Sequence, residues 1–140
     1  MLLVKYPENK ISSLDLAQTK VNTDCARKFI SIPNLKYLRL FNNNLGDGDF
    51  FDSTTASLIA SSDIKVLDLC GNNGTNLERF LGTLLGIYKN RSEQKYGKFS
   101  LETLELGANT ISEEDENTIK ELKVYGVDIA RDKPKVASSK

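Results

Sequence analysis

Few residues in this chain carry reactive side chains, and their spacing excludes most enzymatic chemistry. Cys70 is the nucleophile expected on an open surface, with Asp68 two residues before it and Asn72 two residues after. A cysteine attacks as thiolate and needs a histidine, another cation or a helix N-terminus to reach that state near neutral pH. The 140-residue chain contains no histidine, so neither a Cys-His pair nor a Ser-His-Asp triad can form. An acid and an amide beside the thiol do not lower its pKa. No catalytic residue is expected, and the chain reads as a non-enzyme. Cys25 is the second cysteine of two, and two cysteines without histidine do not complete a structural zinc site. No phosphate-binding glycine loop or dinucleotide fingerprint occurs. Neither a metal nor a cofactor is expected.

What remains is recognition, and a recurring pattern positions the residues for it. The order apolar-x-x-apolar-x-apolar-x-x-polar occurs at Ile11–Thr19, Leu35–Asn43, Ile64–Asn72 and Leu101–Asn109. The inner apolar pairs, Leu14/Leu16, Leu38/Leu40, Leu67/Leu69 and Leu104/Leu106, are two residues apart. Side chains alternate along a strand, so both members of each pair point into a core and the residues between them point out. The terminal Asn bonds backbone groups where the chain leaves the strand, and Thr19 is a weaker substitute in the first copy.

Stacking the strands sets the outward residues in three columns: Ser13, Tyr37, Val66, Thr103; then Asp15, Arg39, Asp68, Glu105; then Ala17, Phe41, Cys70, Gly107. Aromatic residues and arginine dominate binding hot spots. The expected partner face is therefore Tyr37, Arg39, Phe41, Val66, Asp68, Cys70, Thr103 and Glu105, its acids fixing the orientation of a basic partner group. Pairing of Arg39 with Asp15 or Asp68 across the strands is the plainer alternative.

Four copies in order, three of them ending in Asn, resemble the leucine-rich repeat family. The copies start 24, 29 and 37 residues apart, and the middle spacing is similar to that of the ribonuclease-inhibitor-like class. The resemblance implies an α/β leucine-rich repeat solenoid, with a short curved parallel sheet on the concave side and helices on the convex side. Residues 1–10 then form an N-terminal cap and 11–130 the repeat domain, with repeats starting near 11, 35, 64 and 101. Residues 131–140 form a disordered basic tail. Proteins of this kind bind other proteins, which implies an adaptor or assembly subunit, monomeric when free.

The connecting segments read as helices. Asn22 or Thr23 caps one that ends before Ile32-Pro33. A second follows Gly46-Asp47-Gly48-Asp49 and carries Phe50, Phe51, Ala56, Leu58 and Ile59. The third is the clearest, with Leu77, Phe80, Leu81, Leu84, Leu85 and Tyr88 on one stripe; Gly82 and Gly86 are expected to allow close packing on the strands. Ser112–Asp115 is close to a capping box, Gly126 stops the helix it opens, and Val127–Ile129 is a candidate closing strand.

Length in the third repeat comes from Lys89–Lys98, a polar insertion with four basic residues and one acid. Its Lys89, Arg91, Lys95 and Lys98 make a secondary basic site, read either as functional or as a solvated loop or helical extension. With the tail, they carry the alternative function, a nucleic-acid or ribonucleoprotein-associated factor. A formal net charge of zero argues against it. No apolar run approaches a membrane span, the start is too short for a signal-peptide core, and the cysteines form no capping cluster, so a cytoplasmic, reduced setting is expected.

Overall fold

A computed structural model describes residues 11–94 and 99–131, and side chains for all of these except 91–94. Within them, strands and helices alternate: β1 (Ser13–Asp15), α1 (Thr23–Ile30), β2 (Tyr37–Arg39), α2 (Ser53–Ser61), β3 (Val66–Asp68), α3 (Glu78–Gln94), β4 (Thr103–Glu105), α4 (Glu113–Val124) and β5 (Asp128–Ala130). The strands form one all-parallel sheet in chain order. The expected closing strand is β5. Leu14, Leu38, Leu67, Leu104 and Ile129 are Cα partners across the sheet. One residue past each strand, the amides of Leu16, Leu40, Leu69 and Leu106 still bond the neighbouring carbonyls of Arg39, Asp68, Glu105 and Ala130, so both leucines of each pair face the core.

That core lies between the sheet and the helices. Leu38, Leu40, Leu67, Leu69, Leu104 and Leu106 are buried with Ile30, Ile59, Phe80, Leu84 and Leu122 from the helices. Leu14 and Leu16, on the first strand, are only half-buried.

The asparagines bind one strand to the next. The Asn72 amide donates to the carbonyls of Leu69 and Cys70 in its own copy and of Leu40 in the preceding one. Its Oδ1 accepts the backbone N–H of Asn43 and Leu45. Asn43 repeats this toward Leu16, Thr19 and Val21, and Asn109 toward Leu69, Asn72 and Gly74. Thr19 closes the series with a single bond from its hydroxyl to the Leu16 carbonyl. The residue before each of these four is left-handed: Gln18, Asn42, Gly71 and Ala108 have φ of 57°, 61°, 68° and 58°.

Helix starts follow local chemistry. Asn22 caps α1 through Cys25 N–H, and Ser112 and Asp115 form a reciprocal capping box on α4. Gly126, at φ 96°, ends the turn after α4. Arg27 staples α1 to α2, reaching Thr55 Oγ1 and both oxygens of Asp52, whose carboxylate also caps α2.

Two expectations about the helices need correction. Phe50 and Phe51 precede α2 rather than lying in it: Leu45–Asp47 forms a short 3-10 turn, and Asp52 caps the helix from Ser53. The two rings fill the gap toward α3 edge to face, Phe51 lying 5.4 Å from Phe80. Gly82 and Gly86 do not permit close packing on the strands. They are exposed, and a Cβ on either meets no described atom within 4 Å.

The first six residues of the Lys89–Lys98 insertion continue α3 as a helical extension. The expected cap at 1–10 and the tail beyond Arg131 lie outside the described residues. Among the described residues no helix is long and apolar enough to cross a membrane.

Candidate functional site

The strand register builds the expected columns. Ser13, Tyr37, Val66 and Thr103 are successive Cα partners, with Asp128 of β5 added at the end. Asp15, Arg39, Asp68 and Glu105 form the second column, ending at Ala130. The third column follows from the bonds Gln18 N–H to Phe41 O, Asn42 N–H to Cys70 O and Gly71 N–H to Gly107 O. The helices cover the leucine side of the sheet, and these columns occupy the other.

A depression of about 340 Å³ lies on this face, lined by Ser13, Asp15, Tyr37, Arg39, Val66, Asp68 and Glu105 over the backbone of Leu14 and Leu38. Tyr37 is 47% exposed, the most open aromatic residue on the face. Val66, Thr103 and Glu105 are half-buried. Three carboxylates and one guanidinium line the depression, a net charge of −2.

Arg39 is fixed by its neighbours. Its Nε donates to Asp68 Oδ2 and its NH1 donates to Asp15 Oδ2, each at 3.2 Å. The guanidinium carbon lies 5.1 Å from the centre of the Phe41 ring, within cation–π range. The two carboxylates raise the Arg39 pKa, Asp15 most. The Asp15 carboxyl is held below its ordinary pKa by the Ala17 N–H and then by Arg39.

Cys70 and Asp68 are buried, against the expectation of an open surface for both. Asp68 Oδ1 turns back to accept the Cys70 N–H at 3.0 Å while Oδ2 meets Arg39. One donor atom each from Asp68, Cys70 and Glu105 gathers within 4.8 Å of the others. Desolvation first, and then the Asp68 carboxylate, push the thiol up to about 12. A cation here would have to displace Arg39 from Asp68 and take a proton from a reluctant thiol, so the trio is not a ready metal site.

The secondary basic site is described only in part. Lys89 pairs with Glu121 of α4 at 3.1 Å. The Arg91 side chain, Lys95 and Lys98 lie outside the described residues. In the tail, Arg131 pairs with Glu116 of α4. Both pairs set a basic residue against the acid-rich last helix.

Sequence reasoning missed the left-handed residue before each asparagine and the inter-strand reach of the asparagine amides. The run of Asn and Gly at 42–44 and 71–74 was the available signal, since these types tolerate positive φ. Compared with protein-family models and with curated proteins, the sequence matches none.

Proposed function

We propose that this chain is a short leucine-rich repeat solenoid that acts as a non-enzymatic protein-binding module, its partner docking on the open, concave face of the sheet. The observation that carries the reading is the depression on that face, with the exposed Tyr37 ring beside a guanidinium already held in place. Such a surface loses little side-chain freedom on binding, which favours affinity. The repeated Leu-x-Leu-x-x-Asn order and the asparagine ladder support the family assignment. A thiol pushed up to about 12 and a chain without histidine support a binding rather than a catalytic role. Two free thiols, Cys25 and Cys70, suit a reducing, intracellular setting.

The test uses the full chain as bait, with Tyr37→Ala and Thr103→Arg as variants that remove the aromatic and obstruct the face. Both substitutions sit on solvent-facing strand positions, so urea midpoints should stay near wild type. A partner protein that wild type captures and both variants lose supports the reading. Equal capture by all three proteins overturns it.

A further inference from the structure

We propose that the Asn73–Gly74 step is a site of self-modification, converted to aspartate and isoaspartate when the fourth copy of the motif lifts off the third. The chemistry needs only this chain and water. The Gly74 backbone nitrogen loses its proton and attacks Cγ of Asn73. A bond from that nitrogen to Cγ forms, the bond from Cγ to the side-chain nitrogen breaks, and ammonia leaves with the proton. Water then opens the cyclic imide at either carbonyl. One route leaves aspartate at position 73. The other leaves isoaspartate, whose main chain runs through the side-chain carbonyl and is longer by a methylene. Asparagine before glycine is the order most prone to this reaction, because no Cβ hinders the attacking nitrogen or restricts the turn it must make. Asn73-Gly74 is the one such pair in the sequence.

The fold both demands this glycine and restrains it. Gly74 stands two residues past Asn72, where the other copies place Val21, Leu45 and Ile111. A Cβ at Gly74 would lie 3.0 Å from atoms of Phe51, Leu77 and the Asn109 Oδ1, so the space for a side chain is already taken. The Gly74 N–H donates to Asn109 Oδ1 at 2.7 Å, and its carbonyl accepts the Thr110 N–H at 2.7 Å. Asn73 is exposed, held at φ 60°, and donates through Nδ2 to Asn44 Oδ1 at 2.8 Å. The attacking nitrogen is thus bound to the fourth copy and the departing amide to the second. Release of Asn109 frees the nitrogen. Once isoaspartate has formed, the turn does not close again. The Asn73 carbonyl backs directly on Gly46, where an added Cβ would fall 2.3 Å from its oxygen, and a lengthened main chain has no room there. The modification makes a reversible opening of the last copy permanent.

The experiment ages the full chain in neutral buffer, folded and in concentrated urea, and reads position 73 by peptide mass mapping. Enzymatic methylation of isoaspartate gives a second readout. Hydrogen exchange at the Gly74 N–H reports release from Asn109 directly. Conversion should be fast in urea and slower in the folded chain by the factor that slows Gly74 exchange. Ser112→Ala removes the N-cap of α4, the helix that follows the fourth copy. It should speed conversion in the folded chain about fivefold. Leu14→Ala, in the first copy, should leave the rate unchanged. Asn73→Gln should block conversion, and its thermal midpoint should hold through ageing that lowers the wild-type value. Conversion as fast folded as in urea, or none in either, overturns the proposal. No acceleration by Ser112→Ala, or equal acceleration by Leu14→Ala, overturns the gating by the last copy.

Discussion

Asn72 accepts the backbone N–H of Asn43 at 2.8 Å through Oδ1 and returns an amide hydrogen to the carbonyl of Leu40, three residues before Asn43. One buried side chain thus serves both a donor and an acceptor of the adjacent strand-to-helix turn, besides Leu45, Leu69 and Cys70. Removing it leaves several buried backbone groups without partners, each costing about 1–3 kcal/mol unless water enters. Asn72→Ala should therefore destabilise the chain by about 2–4 kcal/mol in urea unfolding. Asn72→Asp should cost at least as much, because a carboxylate cannot donate to the three carbonyls that the amide serves. Thr19→Ala, at the exposed end of the ladder, should cost less than about 1 kcal/mol. Equal losses at Asn72 and Thr19 would remove the ladder from the account of stability.

Substitutions in opposite directions, glycine to alanine and alanine to glycine, should both stabilise. Gly82 and Gly86 are exposed in the middle of α3, and a Cβ there meets no described atom within 4 Å. Gly82→Ala and Gly86→Ala should each gain about 0.5–1 kcal/mol from helix propensity and a less flexible unfolded chain. Ala108 is left-handed at φ 58°, a conformation that costs a Cβ-bearing residue about 1–2 kcal/mol. Ala108→Gly should gain about 0.5 kcal/mol after the entropy cost of glycine is subtracted. Gly46→Ala should lose stability sharply, since its Cβ would fall 2.3 Å from the Asn73 carbonyl oxygen. Thermal midpoints of the four variants give the comparison, and a loss at Gly82 would mean that a neighbour occupies that helix face.

The strands were legible because their signal is local and redundant. Leu38 and Leu40 sit two residues apart, and the same order returns at Leu67/Leu69 and Leu104/Leu106, so burial, register and the columns follow from one pattern. Ser112 to Asp115 was equally legible, since a capping box depends only on residues three apart. The start of α2 was not. Phe50 and Phe51 have the apolar character of a helix face, but Asp52 is the better cap, and the Phe51 ring packs edge to face on Phe80, 29 residues away. The site misled for a related reason. Alternation assigns Asp68 and Cys70 to the open face, but both are buried there, Asp68 bonded across the strands to Arg39 and Cys70 clustered with the Asp68 and Glu105 carboxylates. Those contacts depend on side-chain length and charge, which a two-residue period does not encode.

The two thiols should separate in reactivity. Cys25 is half-exposed on α1, whereas Cys70 is buried beside two carboxylates with its pKa pushed up to about 12. At pH 8 an aromatic disulfide reagent should titrate one thiol per folded chain at an ordinary rate. The second should react only as fast as the protein opens, because thiolate and access are both lacking. The pH dependence follows from the raised folded-state pKa. The unfolded chain loses the Cys70 proton near the ordinary thiol value, while the folded chain keeps it. The associated stability is complete below the ordinary value of 9.0 and is lost as pH rises toward about 12. Cys70→Ser should flatten the alkaline fall in a urea series from pH 8 to 11, and an unchanged slope would assign that fall to other groups.

Arg39 holds two acids in unequal settings, and a double-mutant cycle should rank them. Its partner Asp15 is 61% exposed in the side chain, while Asp68 is only 12% exposed. Exposed ion pairs are screened by water and contribute little, whereas a desolvated carboxylate left without its cation bears the cost of burial. Arg39→Ala and Asp68→Ala should therefore couple by about 1 kcal/mol, and Arg39→Ala and Asp15→Ala by clearly less. Half-molar salt should erase most of the Asp15 coupling and leave most of the Asp68 coupling. The Asp15 carboxyl has a lowered pKa in the folded chain, so its share of stability is present above the ordinary carboxylate range. That share disappears as pH falls through the folded-state value, and the Arg39–Asp15 coupling should vanish in strongly acidic buffer. If Asp15 couples as strongly as Asp68 at neutral pH, Arg39 is anchored at the edge of the sheet. Its guanidinium would then be able to swing away from Asp68, and the face proposed to receive the partner would not be held in place before binding.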